Sequence, residues 1–496
     1  MSQVTRPPHL DLPNRAKLEM VEAGFTPYFE PAVQESLKQV IKKQPADADG
    51  IADLRSLLWS SIDNPDSLDL DQIEYVEKLA DGNVRVLIGI ADVDFYVQKD
   101  SPIDQHAAHN TTSVYTGVIT FPMLPNELST NLTSLVQAAD RCAIVIDLEV
   151  NSAGAIIKSS VYPALVRNHA KLDYPTVGGW LENGGTVPDK IVGTPGLVDQ
   201  LKLQNEVQAH IAALRKEHGS LILETIETEP VSKQGQIIDL QLVEANPARE
   251  LIENFMIAGN IAVSHFLVSK GIPSIRRVVK EPERWPRIVE VAAEYDEKLP
   301  PTPDAKALSD FLSKRKAADP LHFPDLSLTI VKLLGPGEYV VDIPGQADQG
   351  HFALAVHDYT HATAPNRRYA DLVTERLLKS AIAGKPVPYS VDELNDVSLQ
   401  CTRREKAAKK VERTVRKVVA AELLSKHIGE TYDGIVTGVK DDDTYVRLLK
   451  PPVEGKIVQG GRGLEVGQQV QVRLLSTNAD KAYIDFAYVG KSQPPQ

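Results

Sequence analysis

Cysteine is almost missing from the 496 residues: Cys142 and Cys401 lie far apart and match no metal-ligand spacing. That argues against a disulfide framework or a zinc finger, and suits a reducing cytoplasm. Aromatic residues are scarce at 6%. The N-terminus, MSQVTRPPHLDLP, lacks the apolar core of a secretory signal. Long apolar runs are missing too. The best, MIAGNIAVSHFLVS at 256–269, reads as too short and too often interrupted by polar residues to span a bilayer, so no membrane partner is expected. Nor is there an excess of basic charge. Lys and Arg number 54 against 67 Asp and Glu, a net charge of −13, which argues against nonspecific coating of nucleic acid. A nuclease is still allowed, because a basic channel can sit inside an acidic protein.

What is present is ordinary globular material, 42% hydrophobic and 24% charged, enough for two to four domains. Helical spacing in NRAKLEMVEAG and PAVQESLKQVIKK predicts two short helices within 14–43, broken around Gly24–Pro31. The polar stretch KKQPADADG (42–50) reads as a linker. Strand-like runs follow: LLWSSID, DQIEYVEKL and VRVLIGIADVDFYV, the last two separated by an Asp-Gly hairpin signal at 81–82, then RCAIVIDLEV (141–150) and IKSSVYPALV (157–166). Amphipathic helices dominate after 195. They include the basic segment TRREKAAKKVERTVRK (402–417), with eight Lys or Arg against two Glu. After Ile428, five short strands separated by Asp, Gly or Pro turns predict a small OB-type barrel. The expected architecture is multidomain α+β: a small helical region over 1–50, read either as helix-turn-helix-like or as packing only, a mixed sheet packed with helices over 51–427, and a barrel over 428–490.

Two segments carry chemistry. SSIDNPDSLDLDQIEY (60–75) places Asp63, Asp66, Asp69 and Asp71 within nine residues, between two strands. Crowded carboxylates repel unless a hard divalent cation neutralises them, and magnesium or manganese suits all-oxygen donors. Spacing alone is equally met by a surface Asx-rich turn. The second segment, HFALAVHDYTHATAPNRRYADL (351–372), sets Arg367 and Arg368 at the start of an amphipathic helix. Their forks suit phosphate oxygens, although a helix terminus with ordinary surface arginines has the same pattern.

Taken together and in this order, IDNPDSLDLDQ and YTHATAPNRRYADL resemble the ribonuclease II family, whose catalytic domain is called RNB. Further stretches agree: IADVDFYV (90–97), TSVYTGVITFPMLPNELS (112–129), ALVRNHAKLDYPTV (164–177) and ELIENFMIAGNIA (250–262). The resemblance spans roughly 54–425. It implies a hydrolytic exoribonuclease that degrades single-stranded RNA from the 3′ end to nucleoside 5′-monophosphates, acting as a monomer. Asp71, Asp69 and Arg367 would be catalytic, and Asp63, Asp69, Asp71 and Gln72 would hold Mg2+, with Mn2+ as substitute. Tyr115 would cover bases near the 3′ end. Tyr174 and Glu253 would touch the terminal nucleotides, and Arg368 and Glu412 would contact substrate.

The chain departs from the family pattern in three places. Gln72 stands where a fourth aspartate usually follows Asp71, which predicts weaker metal binding, with Glu74 on the same strand face as compensation. Ala364 and Asn366 replace the usual Ser and Ile. About fifty residues precede the catalytic region, too few for paired cold-shock barrels. The C-terminal barrel is expected to bind RNA, with Tyr445 as its one stacking candidate, slightly ahead of a scaffold role. Two other readings stay open: an RNA-binding regulator with a decayed site, motivated by Gln72, and a nuclease acting on DNA or very short oligonucleotides.

Overall fold

The computed structural model describes residues 11–45, 51–224, 228–233, 236–242, 246–320, 322–346, 350–440 and 443–491. Part of the expected linker, 46–50, lies outside the described residues. The two N-terminal helices form at Leu12–Glu22 and Pro31–Val40, each with proline in its first turn. The first packs on the long basic helix, where Arg404 stacks over Phe25 and donates to the Ala23 carbonyl.

The central body is built on a six-stranded sheet. Its strands are β1 (Ala52–Asp53), β2 (Trp59–Asp63), β3 (Gln72–Lys78), β4 (Val84–Ala91), β7 (Asp140–Val150) and β8 (Ile156–Asp173), in the order β1-β8-β2-β3-β4-β7. Between β4 and β7 lies a short hairpin of β5 (Val114–Tyr115) and β6 (Thr120–Phe121). Strand β8 runs seven residues beyond the predicted run. That length lets it pair antiparallel with β7 along its first half and parallel with β2 along its second, so the sheet curls back on itself.

The helix Pro247–Ser269 crosses one face of this sheet, its Gly259 close to Ile88 and Ile146. It is 23 residues long, longer than the apolar run suggested, and by length and composition it could cross a membrane. Two-thirds of its most apolar stretch is buried in the protein instead, so it is a core helix. Helix Tyr369–Ile382 corrects another expectation. Every residue from Tyr369 to Leu378 is buried, so it is an interior helix rather than an amphipathic one. The helical reading after 195 also missed the antiparallel strands Ser274–Val278 and Glu338–Asp342, which are separated by a helical module with its own core of Trp285, Phe311 and Phe323.

The five C-terminal strands, Thr431–Lys440, Asp443–Leu448, Glu454–Gln459, Gln469–Asn478 and Tyr483–Lys491, close into a barrel. Its core is not private. Val436, Val446, Val470, Val472 and Phe486 belong to one apolar cluster with Val411, Val415, Val419 and Leu424 of the basic helix and Ala16 and Met20 of the first helix. A partly buried ion pair, Arg447 to Asp325 at 3.0 Å, ties the barrel to the helical module as well. Truncation after His427 should therefore expose this shared core and give an aggregating chain without a cooperative transition, checked by calorimetry and size-exclusion chromatography. A soluble truncation that melts cooperatively would show the barrel to be separable.

Candidate active site

The acidic segment is the connection between β2 and β3. Leu70 anchors it: its side chain is buried, its N–H donates to Ser134 Oγ at 2.9 Å, and its carbonyl accepts from Leu135. Ser134 in turn donates to the Leu68 carbonyl at 2.7 Å. This clamp fixes the aspartates on either side of Leu70.

Asp71 is 1% exposed. Such a carboxylate is costly without donors. It receives two, Arg367 Nε at 3.1 Å on Oδ2 and the Asn366 backbone N–H at 2.9 Å on Oδ1. Burial pushes its pKa up to about 7, against the opposing pull of Arg367 and the Asn366 N–H. Asp69 accepts from the Tyr115 hydroxyl at 2.6 Å, and burial together with the Asp69 charge pushes the Tyr115 phenol up. Asp63 accepts from the Asn64 N–H at 2.7 Å and from Ser67 Oγ at 2.9 Å, and burial raises it too.

The arginine segment is a tight turn, not yet helix. Arg367 and Arg368 both donate from the backbone to the Ala364 carbonyl, and Arg368 is the N-cap of Tyr369–Ile382. Asp371 pins the turn by accepting from the Ala364 N–H at 2.9 Å and from Arg368 at 2.7 Å. The chain at 111–115 lies along this turn. Tyr369 donates to the Thr111 carbonyl and Ser113 to the Arg367 carbonyl, which carries Tyr115 to the acids.

A cavity of about 1020 Å³ opens over the site, lined among others by Asp63, Asp66, Asp69, Gln72, Tyr115, Tyr174, Arg249, Arg367, Glu412 and Arg416. Most residues expected at the site therefore meet here, with Asp71 beneath Arg367. Glu412 accepts from the Tyr115 N–H at 3.2 Å. Two do not face the cavity. Arg368 is turned to Asp371 and lines a separate pocket of about 200 Å³. Glu253 lies one turn beyond Arg249 on Pro247–Ser269 and is absent from the lining, and burial raises its carboxyl above the ordinary range.

Sequence reasoning missed Arg249, whereas Arg416 belongs to the basic segment 402–417, whose family resemblance favours a channel wall that tracks phosphates. The Arg249 guanidinium stacks on the Tyr174 ring at 4.4 Å and donates to Asn64 at 2.9 Å. Its only sequence signal is a position four residues before Glu253. The Asn366 N–H on Asp71 has no sequence signal, since any residue but proline supplies it.

The donor set of Asp63, Asp69, Asp71 and Gln72 is all hard oxygen, which fits a magnesium-type cation and no softer metal. Among the described residues no three His, Cys, Asp or Glu side chains gather closely enough to hold a metal by themselves. Magnesium tolerates that, because it keeps several waters and completes its shell with substrate phosphate.

The RNB domain family model matches residues 51–384. The chain belongs to the RNB family. A second model, the RNase II-type exonuclease C-terminal S1 domain, matches residues 430–489. Ribonuclease R of Thermotoga maritima is 29% identical over 467 residues, covering 91% of this chain and 63% of the relative. The chain spans 56%, 63% and 61% of the length of the ribonuclease R relatives of Lactococcus lactis, Thermotoga maritima and Escherichia coli. Among solved structures, Mycoplasma genitalium RNase R in complex with ribose-methylated single-stranded RNA superimposes with a TM-score of 0.85 at 24% identity, covering 97% of this chain and 78% of that one. Yeast Ssd1, a pseudonuclease, gives 0.72 at 17% identity, covering 95% and 58%. The fold of this RNB protein is thus shared with both.

The Asp71–Arg367 pair is asymmetric, since the arginine side chain is 47% exposed and the aspartate 2%. Arg367→Met should leave a buried carboxylate short of a donor and cost about 1–3 kcal/mol. Asp71→Asn, which releases an arginine already in water, should cost less. Urea unfolding of both variants in chelator checks this, and equal losses would contradict the asymmetry.

Proposed function

We propose that this RNB protein is a hydrolytic 3′-to-5′ exoribonuclease that degrades single-stranded RNA to nucleoside 5′-monophosphates and requires Mg2+, with Mn2+ as substitute. The observation that carries this reading is the desolvated Asp71 under a half-exposed Arg367, in one cavity with Asp63, Asp69 and Gln72. Asp71 holds the Nε edge of Arg367 and leaves the outer edge of the guanidinium toward the cavity. There it takes phosphate oxygens and stabilises the charge that grows on them as water attacks. Asp63, Asp69, Asp71 and Gln72 are the residues that would hold the cation, which when bound supplies positive charge at the phosphate and a more acidic water. Asp69 anchors Tyr115 at the cavity wall, where its exposed ring offers a base a stacking surface. On the other wall, Arg249 braced on Tyr174 suits a ribose or phosphate near the 3′ end. Arg416 supplies positive charge along the strand's path.

The curated ribonuclease R relatives support the reading. The competing one is an RNA-binding protein without turnover, favoured by Gln72 and by the pseudonuclease of the same fold. Incubation with 5′-labelled single-stranded RNA and Mg2+ separates the two. A ladder shortening from the 3′ end is expected, and intact RNA over many hours would favour the binding protein. Early internal fragments would mean an endonuclease.

Asp71→Asn should lower turnover by ~100-fold or more while changing RNA affinity little, because the loss falls on transition-state charge. A variant cleaving at the wild-type rate would remove Asp71 from the chemistry. Arg416→Gln should weaken binding of all sequences alike and reduce the salt slope by about one. An unchanged slope in filter-binding titrations would take Arg416 off the phosphate path.

A further inference from the structure

Among the described residues, Glu74 is a buried carboxylate beside the acidic segment that has no hydrogen-bond partner on either oxygen. It sits two residues after Gln72 on β3, on the same face of the strand, and lies in register with Ser60 of β2, whose buried hydroxyl is also unpartnered. Burial, and after it the Asp63 charge, raises the Glu74 carboxyl well above its ordinary value. Opposite it on β4 is Ile88, in a surround otherwise suited to an apolar residue. A strand slot of this kind gains nothing from a carboxylate as packing, and an unpaired one is destabilising.

Position 72 completes the puzzle. Gln72 lines the cavity beside Asp63 and Asp69, and its amide adds an oxygen but no charge. The chain thus has a neutral residue where charge is useful and an unsatisfied charge-bearing group one strand step away. We propose that Glu74 is the fourth acidic residue of the cation site, contributing from the same face of β3 the negative charge that Gln72 lacks. The inference rests on the reading of the acidic segment as a divalent-cation site.

The test is binding of Mn2+ to the full-length, RNA-free protein, followed by electron paramagnetic resonance and by the melting-temperature rise that Mn2+ produces. Glu74→Gln should weaken Mn2+ at least about tenfold, since affinity for hard cations follows ligand charge. In chelator the same variant should melt no lower than wild type, because it removes a buried unpaired acid. Gln72→Asp combined with Glu74→Gln should restore Mn2+ affinity to near wild type. If Glu74→Gln fails to fold, Glu74→Leu, which matches the apolar slot, carries the same expectation. Wild-type Mn2+ affinity in Glu74→Gln, with binding lost in Asp63→Asn, would overturn the role of Glu74 and leave the cation site standing. Unchanged binding in Asp63→Asn as well would overturn both.

Discussion

Burying the Asp71 carboxylate at 1% exposure sets the terms for everything around it. Water is replaced by two donors, and both come from a turn nearly three hundred residues downstream. That turn must therefore be held rigidly, and the chain spends a second buried acid on it. Asp371 ties Ala364 and Arg368 together at the mouth of a helix that is interior on all sides. The same turn is laid against residues 111–115, which fixes Tyr115 over Asp69. One desolvated carboxylate thus links β3, the arginine turn and the β5–β6 hairpin, three segments that share no local sequence signal.

The electrostatics of the cavity follow from this arrangement and explain how a chain of net charge −13 can present a site suited to polyanions. Negative charge is concentrated at the floor, on Asp63, Asp69 and Asp71. Positive charge stands at the wall, on Arg249, Arg367 and Arg416. Only part of the basic helix serves this purpose. Arg404 fastens the N-terminal helices, and Lys409 pairs with Glu405, which itself grips Arg277 through two bonds of 2.6 and 2.9 Å. Eight basic residues in a row of sixteen therefore overstate the charge available to a ligand, because Arg404 is committed to packing and Lys409 to an ion pair.

The parts of this organisation visible in the sequence are those written locally. Hairpin and turn residues mark β3 and β4, and evenly spaced turns mark the five barrel strands. Aspartate and arginine spacing marks the two chemical segments. What could not be read depends on tertiary context. Arg367 and Arg368 are adjacent and chemically identical, yet one faces the cavity and the other turns to Asp371, a choice made by a turn whose shape depends on its neighbours. Glu253 looked like a site residue and Arg249 did not, although they lie one helical turn apart. Both lie on the same side of Pro247–Ser269, and it is the packing of the Arg249 guanidinium on Tyr174 that brings the arginine into the cavity lining. The barrel, read as a module, shares its apolar core with two helices from elsewhere in the chain, and no periodicity reveals a shared core.

Fold alone does not separate a nuclease from a binding protein here, because the same architecture carries an RNA-bound ribonuclease and a pseudonuclease. The discriminating evidence is energetic. A protein that only binds RNA needs the basic wall and the stacking tyrosines, and gains from replacing buried acids with apolar residues of similar size. This chain keeps Asp71 fully desolvated, Asp63 and Asp69 beside it, and an unpartnered Glu74 beneath. Each of these acids costs stability where it is buried without enough donors, and each that ionises weakens attraction for a phosphate backbone. Under the proposed reading a divalent cation accounts for their retention together, since passive binding of a phosphate backbone does not call for it.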